Sequence, residues 1–346
     1  MIMPPPTIVT SSASPARDLE ISGTGAGTSI HCVFQHPEAH VNRRQFLTTA
    51  GAVISATAAT PIARVEAAAQ ASGSAAANGK GRFRTGLVAY SYRTLLEKKA
   101  MTYEDLIRIA VETGTDGIDL TSYWLPPGPP DDYLLSLRRL AWKNRVEIYS
   151  VGTRVQLSQP TAELREKQLT DVRHWVDVAQ KLGATHIRVF GGNQPKGATM
   201  EQAIDYAAET LKAGADISGA HGIFLGVEDD SGITLYAKET IEIVKRANHP
   251  WAGMNLDIGN FRPPNVYEQV RMSIPYAVST HFKTTVANDD GNGRSPYDWD
   301  RVLQMFVSGG YKGYIGLEYE ETGADPATAV PPALRKLKDV ATKYSA

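Results

Sequence analysis

From Arg82 onward the sequence predicts a (β/α)8 barrel. Three observations lead there. Short β-rich runs alternate with long amphipathic stretches, which argues for a parallel sheet of βα units. There are eight such runs in about 265 residues, the usual size of such a barrel. The later runs also alternate residue by residue between apolar side chains and small or polar ones.

The runs fall at 86–91, 117–121, 146–152, 186–191, 222–228, 253–258, 279–283 and 314–319. Helical periodicity between them is plain over 103–113, 163–182, 200–221 and 237–247. Gly114-Thr115-Asp116-Gly117 and Gly310-Tyr311-Lys312-Gly313 read as helix-to-strand turns. A doubly wound open sheet would need a glycine-rich phosphate turn after its first strand, and Tyr90-Ser91-Tyr92-Arg93 is not one.

Alternation sets which way each side chain points. In the fifth run Ile223, Leu225 and Val227 alternate with Phe224, Gly226 and Glu228. In the sixth, Met254 and Leu256 alternate with Asn255 and Asp257. The seventh sets Val278, Thr280 and Phe282 against Ser279, His281 and Lys283, and the eighth sets Ile315 and Leu317 against Gly316 and Glu318. Successive strand residues face opposite sides, so the first set should face the helices and the second the barrel interior.

Glu228, Asp257, His281 and Glu318 thus share the inward parity, each at the C-terminal end of its strand, where barrel active sites sit. Burying three carboxylates together without a neutralising partner would be very costly. Three carboxylates and one imidazole make an oxygen-rich set suited to a single divalent metal. Mn²⁺ suits it best, and Mg²⁺, Co²⁺ and Zn²⁺ are admissible.

Other residues fall near this centre. Lys283 points inward and is placed to bind a substrate oxygen or to balance the carboxylates. Arg188 and Asp119 share the inward parity, as substrate contacts or as a buried ion pair. Tyr90 and Trp124 are candidates to stack on a substrate ring, or simply core. Asn260 follows the Asp257 strand end, and Glu320 is a candidate to orient a metal ligand. Arg294 closes the 289–294 loop, which has calcium-loop features but no glutamate at its twelfth position, and reads as a lid or substrate loop.

Residues 1–81 differ in character, being rich in Ala, Ser, Thr, Gly and Pro. Arg43-Arg44-Gln45-Phe46-Leu47 precedes a short apolar run to about residue 63, then Ala-rich sites such as Val65-Glu66-Ala67. This resembles a twin-arginine export signal. The expected organisation is an export signal and linker over 1–81 and a catalytic barrel over 82–346, in a periplasmic or secreted protein. The apolar run is too short and too Ala-rich for a membrane span, so no stable membrane insertion is expected. Cys32, the chain's one cysteine, would leave with the signal. Gly23-Thr24-Gly25-Ala26-Gly27 has no strand before it and is read as tail. With 36 Lys+Arg against 37 Asp+Glu, the net charge of −1 gives no footprint for a nucleic acid.

The segments Gly226-Val227-Glu228, Asn255-Leu256-Asp257-Ile258-Gly259-Asn260, Thr280-His281-Phe282-Lys283 and Gly316-Leu317-Glu318-Tyr319-Glu320 resemble the sugar phosphate isomerase/epimerase family of xylose isomerase-like barrels. The likeness spans about residues 85–340. It implies a Glu-Asp-His-Glu metal site on the last four barrel strands. In the family's ketose epimerases the two metal-bound glutamates also move protons, a role that carries over to Glu228 and Glu318. Two departures stand out. Those epimerases have a histidine where this chain has Asn260, and many members read His-x-Lys-Asp where this chain has Lys283-Thr284.

The expected activity is therefore metal-dependent isomerisation or epimerisation of a carbohydrate. A Lewis acid would stabilise the enediolate formed when the C–H beside a carbonyl is deprotonated, with Glu228 and Glu318 as proton carriers. The same enediolate would expel a β leaving group, so a lyase acting on a keto-glycoside is the alternative. A non-catalytic sugar-binding protein is the reading from another class. Endonuclease IV shares the barrel, but its trinuclear zinc site needs several histidines, and here only His281 lies at a strand's C-terminal end. The partners expected are a small sugar or glycoside and, for the precursor, the twin-arginine export machinery, with a homo-oligomer left open.

Overall fold

A computed structural model describes residues 81–345. The expected export signal, Cys32 and the glycine run at 23–27 lie outside these residues.

The chain begins with β1 (Arg82–Val88), a short 3-10 turn, α1 (Arg93–Glu97) and α2 (Tyr103–Thr113). It continues through β2 (Gly117–Thr121), α3 (Asp131–Lys143), β3 (Glu147–Gln156), α4 (Ala162–Leu182), β4 (His186–Phe190) and α5 (Met200–Gly219). Then come β5 (Phe224–Glu228), α6 (Ala237–Ala247), β6 (Ala252–Asp257), α7 (Val266–Ser273) and β7 (Ala277–Phe282). A hairpin of β8 (Thr285–Ala287) and β9 (Arg294–Pro296) precedes α8 (Trp299–Ser308), β10 (Lys312–Leu317) and α9 (Pro326–Tyr344). Eight parallel strands, β1 to β7 and β10, close in sequence order, with β10 beside β1. The expected (β/α)8 barrel is what the chain forms.

Local sequence sets the helix ends. Thr102 and Asp105 make a reciprocal capping box at the start of α2, satisfying two orphan backbone donors. The helix stops at Gly114, whose φ of 69° lets the chain reverse into β2 without a side-chain clash.

The core has two parts. Leu87, Val151, Ile187, Val189, Leu225, Val227, Met254, Leu256, Phe282 and Leu317 leave the strands for the helix layer and are buried. Inside the barrel, the N-terminal half is filled by Tyr149 and Tyr314, stacked at 3.7 Å and 4°. Gly86 and Gly316 make room for them, since a Cβ at either position would sit 2.5 Å from the Tyr149 hydroxyl. The C-terminal half is lined by polar side chains. Among the described residues no helix is long and apolar enough to cross a membrane.

Three details differ from the sequence reading. The first strand starts at Arg82, four residues before the 86–91 run. Arg82 and Arg84 face solvent there while Phe83 and Thr85 are buried, so the alternation begins with charged outer residues. Tyr90 consequently lies beyond the strand, in the 3-10 turn. The 289–294 loop is the tip of the β8–β9 hairpin.

Candidate metal centre

Glu228 and Asp257 are the last residues of β5 and β6, His281 lies in β7, and Glu318 immediately follows β10. Parallel pairing in register brings these strand ends to one level. One ligand-type atom from each of the four side chains lies within 4.8 Å of the others, and all four are buried. His281 Nδ1 is 2.8 Å from Glu228 Oε1 and 3.7 Å from Glu318 Oε2.

These donors fit a divalent cation. The His281 Nδ1 and Asp257 Oδ2 atoms are buried with no aligned hydrogen bond, although ionic groups lie close to both. Orphaned polar atoms of this kind are expensive unless something neutralises them. The other imidazole nitrogen, Nε2, lies 3.1 Å from Asp119 Oδ2, so Nδ1 is the nitrogen that faces the carboxylates and would give up its proton to bind a cation. A carboxylate behind a histidine is the usual orienting partner of a metal-ligating ring.

Charge sets the protonation of the cluster. Complete burial, with Glu318 and Glu228 alongside, pushes the Asp257 carboxyl up to about 8 despite the Lys283 ammonium. Glu318 goes the other way: burial would raise it, but Lys283 and His281 hold it down to about 2. Burial disfavours charge on His281 and Lys283 too, yet the surrounding carboxylates raise both well above their ordinary values. The site attracts positive charge.

The remaining predicted residues sort by geometry. Lys283 Nζ lies 2.5 Å from Glu318 Oε2 and 3.1 Å from Asp257 Oδ2, and it also bonds Glu320. Lys283 therefore balances the carboxylates, and Glu320 reaches the centre through it. The Asp119–Arg188 pair does not form. Asp119, fully buried, sits behind His281, out of substrate reach. Arg188 Nε is 3.2 Å from Glu228 Oε2, and Nη1 donates to Tyr123 Oη at 3.1 Å and to Thr153 O at 2.7 Å. Gly152 admits this guanidinium, because a Cβ there would lie 2.9 Å from Arg188 Nη2. Arg294 does not reach into the barrel. Its guanidinium donates to Gly259 O at 3.0 Å and Thr285 O at 2.8 Å, bracing the hairpin against the turn after β6. Asn260 lies half-buried in that turn. Tyr90 and Trp124 stand at the mouth, 6.0 Å apart.

Sequence reasoning passed over two contributors. Asn255 donates to Glu228 Oε1 at 2.8 Å, and its inward parity was the available signal. Asp229 accepts the Asp257 backbone N–H at 2.8 Å, and burial raises its carboxyl well above the ordinary range. Its outward parity concealed it. His186 stays outside the cluster. Burial lowers its ring to about 4, so it is neutral, with Nδ1 2.8 Å from Ser150 Oγ.

A profile of the xylose isomerase-like TIM barrel matches residues 107–340. The chain belongs to the xylose isomerase-like TIM barrel family. A probable endonuclease 4 of Haloarcula marismortui is 32% identical over 111 residues, 32% of this chain and 39% of that relative, so the match spans well under half of its length. Among solved structures, the D-psicose 3-epimerase of Clostridium cellulolyticum H10 with D-tagatose superposes with a TM-score of 0.62 at 16% identity, over 75% of this chain and 99% of that one. The IOLI protein, solved with a bound zinc atom, gives 0.62 at 14% identity, over 75% and 99%. These structural likenesses establish the fold of this xylose isomerase-like barrel. The chemistry rests on its own residues.

Proposed function

We propose that this barrel is a divalent-metal-dependent isomerase or epimerase of a carbohydrate. Glu228, Asp257, His281 and Glu318 would hold the ion, with Mn²⁺ the best match to the donor set. When bound, the ion supplies Lewis-acid polarisation of a substrate carbonyl and its neighbouring hydroxyl. The observation that carries the reading is the pair Glu228 and Glu318, on β5 and β10, flanking His281 within one buried cluster.

The two glutamates sit in different surroundings. Arg188 and Asn255 hold Glu228 from one side, at 3.2 and 2.8 Å. Lys283 holds Glu318 from the other and keeps it ionised at neutral pH. Two carboxylates on separate strands can remove a proton from one face of a carbon and return one to the other. Asp119 fixes the imidazole tautomer, and Tyr90 and Trp124 offer apolar faces against which a sugar ring can lie.

Substrate incubated in D₂O should gain deuterium at the carbon next to its carbonyl. Glu318→Gln and Glu228→Gln should each slow this by at least roughly a hundredfold, with circular dichroism unchanged. Full exchange by metal-loaded Glu318→Gln protein would refute the carboxylate mechanism. The sequence match to a probable endonuclease does not favour DNA chemistry, because the cluster holds one histidine and the chain carries a net charge of −1. We also propose export by the twin-arginine route, supported by the Arg43-Arg44-Gln45-Phe46-Leu47 segment.

A further inference from the structure

The half of the barrel mouth away from the carboxylates is built from aromatic rings and arginines. Tyr90 follows β1, and Tyr123 and Trp124 follow β2. Their rings form one cluster, with centroids 6.2, 6.0 and 5.8 Å apart. This wall is continuous with the metal centre, because Arg188 donates to the Tyr123 hydroxyl and forms an ion pair with Glu228.

Three guanidinium groups stand along it. Arg188 is neutralised by Glu228. Arg93 lies 5.2 Å from the Tyr90 ring centroid and donates to the carbonyl oxygens of Tyr90, Tyr319 and Glu320 at 3.4, 3.0 and 3.4 Å. Arg154 differs from both. Its Cζ lies 3.6 Å from the Tyr123 ring centroid, the side chain is exposed, and among the described residues no carboxylate comes within 4.0 Å of it. Arg93 likewise has no carboxylate within that distance, but its guanidinium is engaged by three carbonyls, so Arg154 is the cation of this wall whose donors make no hydrogen bond among the described residues.

The backbone is shaped to present it. Gly152 of β3 pairs with Arg188 of β4, and Gln156 pairs with Phe190, so between these pairs β3 advances four residues while β4 advances two. Such a bulge redirects the side chains it carries and is common beside active sites. It is clamped by Arg188 Nη1 donating to Thr153 O at 2.7 Å and by Thr153 Oγ1 donating to Arg188 O at 2.8 Å. Arg154 thus lies over a ring held in place by Arg188. A stacked guanidinium keeps its edge donors free, and their fork geometry matches a carboxylate or a phosphate.

We propose that Arg154 receives an anionic substituent of the substrate, making the substrate class an acidic sugar. The sugar ring lies against the Tyr90–Trp124 wall while its carbonyl end reaches the metal centre. This rests on the isomerase/epimerase reading above. Carboxylate and phosphate share the required chemistry, and the choice of probes separates them.

The test is calorimetric titration of the Mn²⁺-loaded protein with D-fructuronate, D-fructose 6-phosphate and neutral D-fructose. One acidic sugar should bind roughly tenfold or more tightly than D-fructose, and the excess should shrink in high salt. Arg154→Gln should collapse that ratio towards one, and Arg154→Lys should keep part of it. Equal binding of acidic and neutral sugars by the wild type overturns the proposal, as does failure of both acids to bind. A preference that survives Arg154→Gln overturns it as well. Deuterium exchange into neutral ketoses, with no preference for acids, would remove this inference and leave the proposed function standing. Acid binding lost in Arg154→Gln, with no exchange into any sugar, would do the reverse.

Discussion

Removing the Asp119 carboxylate should loosen the metal centre before it loosens the fold. Asp119 is fully buried on β2. Burial would raise its carboxyl, but the hydrogen bond and charge of His281 lower it below the usual range, so it is ionised. It accepts the Nε2 proton of His281 at 3.1 Å and so turns Nδ1 into the carboxylate cluster, where the ion would replace its proton. Losing an outer carboxylate of this kind weakens metal binding by ~10–100-fold, equivalent to about 1.4–2.7 kcal/mol. Asp119→Asn keeps an acceptor of the same shape without the charge and should lose about tenfold. Asp119→Ala should lose about a hundredfold. It also leaves the imidazole N–H unpaired, at about 1–3 kcal/mol of folding stability. Mn²⁺ titration against a competing chelator reads the first effect and urea denaturation the second. Wild-type affinity in both variants, each still folded, would refute this role for Asp119. So would tighter binding by the alanine variant than by the asparagine one.

Metal affinity should depend on pH through Asp257, whose carboxyl is raised to about 8, and through His281, whose ring is raised well above its ordinary value. At neutral pH the ion must displace a proton from each, so affinity should climb by up to roughly a hundredfold per pH unit below 8 and rise less steeply above it. Titrations in buffers of differing ionisation enthalpy should show more than one proton released near neutrality, and Asp257→Asn should remove one of them and most of the affinity. Binding that is flat with pH would contradict the assignment. For export, N-terminal sequencing of secreted protein should begin near residues 67–78, and changing both Arg43 and Arg44 to lysine should hold the precursor in the cytoplasm. A secreted form that retains Arg43 would exclude this route.

The barrel was legible because parity and period are properties of the chain itself. Glu228, Asp257, His281 and Glu318 could be aligned at one level from strand alternation alone, and the structure brings them within 4.8 Å. Partner choice inside the barrel was not legible. Asp119 and Arg188 share a parity, yet β3 lies between their strands, and each finds a stronger claimant in His281 and Glu228. Asp229 escaped notice because it serves the site through the Asp257 backbone, which alternation does not report. The hairpin of β8 and β9 escaped because its strands are three residues each, too short to show a period. In α9, Pro331 and Pro332 sit inside a helix that proline would ordinarily break, and tertiary packing of Val330, Leu334 and Leu337 holds it together. The role of Arg154 required seeing the β3 bulge, and nothing in the spacing of its neighbours foretells that.

The most direct measurement is the anomalous scattering of crystals grown with Mn²⁺. A single strong peak is predicted among Glu228, Asp257, His281 Nδ1 and Glu318, with Asp119 remaining bonded to His281 Nε2. A crystal soaked in millimolar Mn²⁺ that shows no peak there, or places its ion away from these four side chains, would contradict the metal centre and the chemistry built on it.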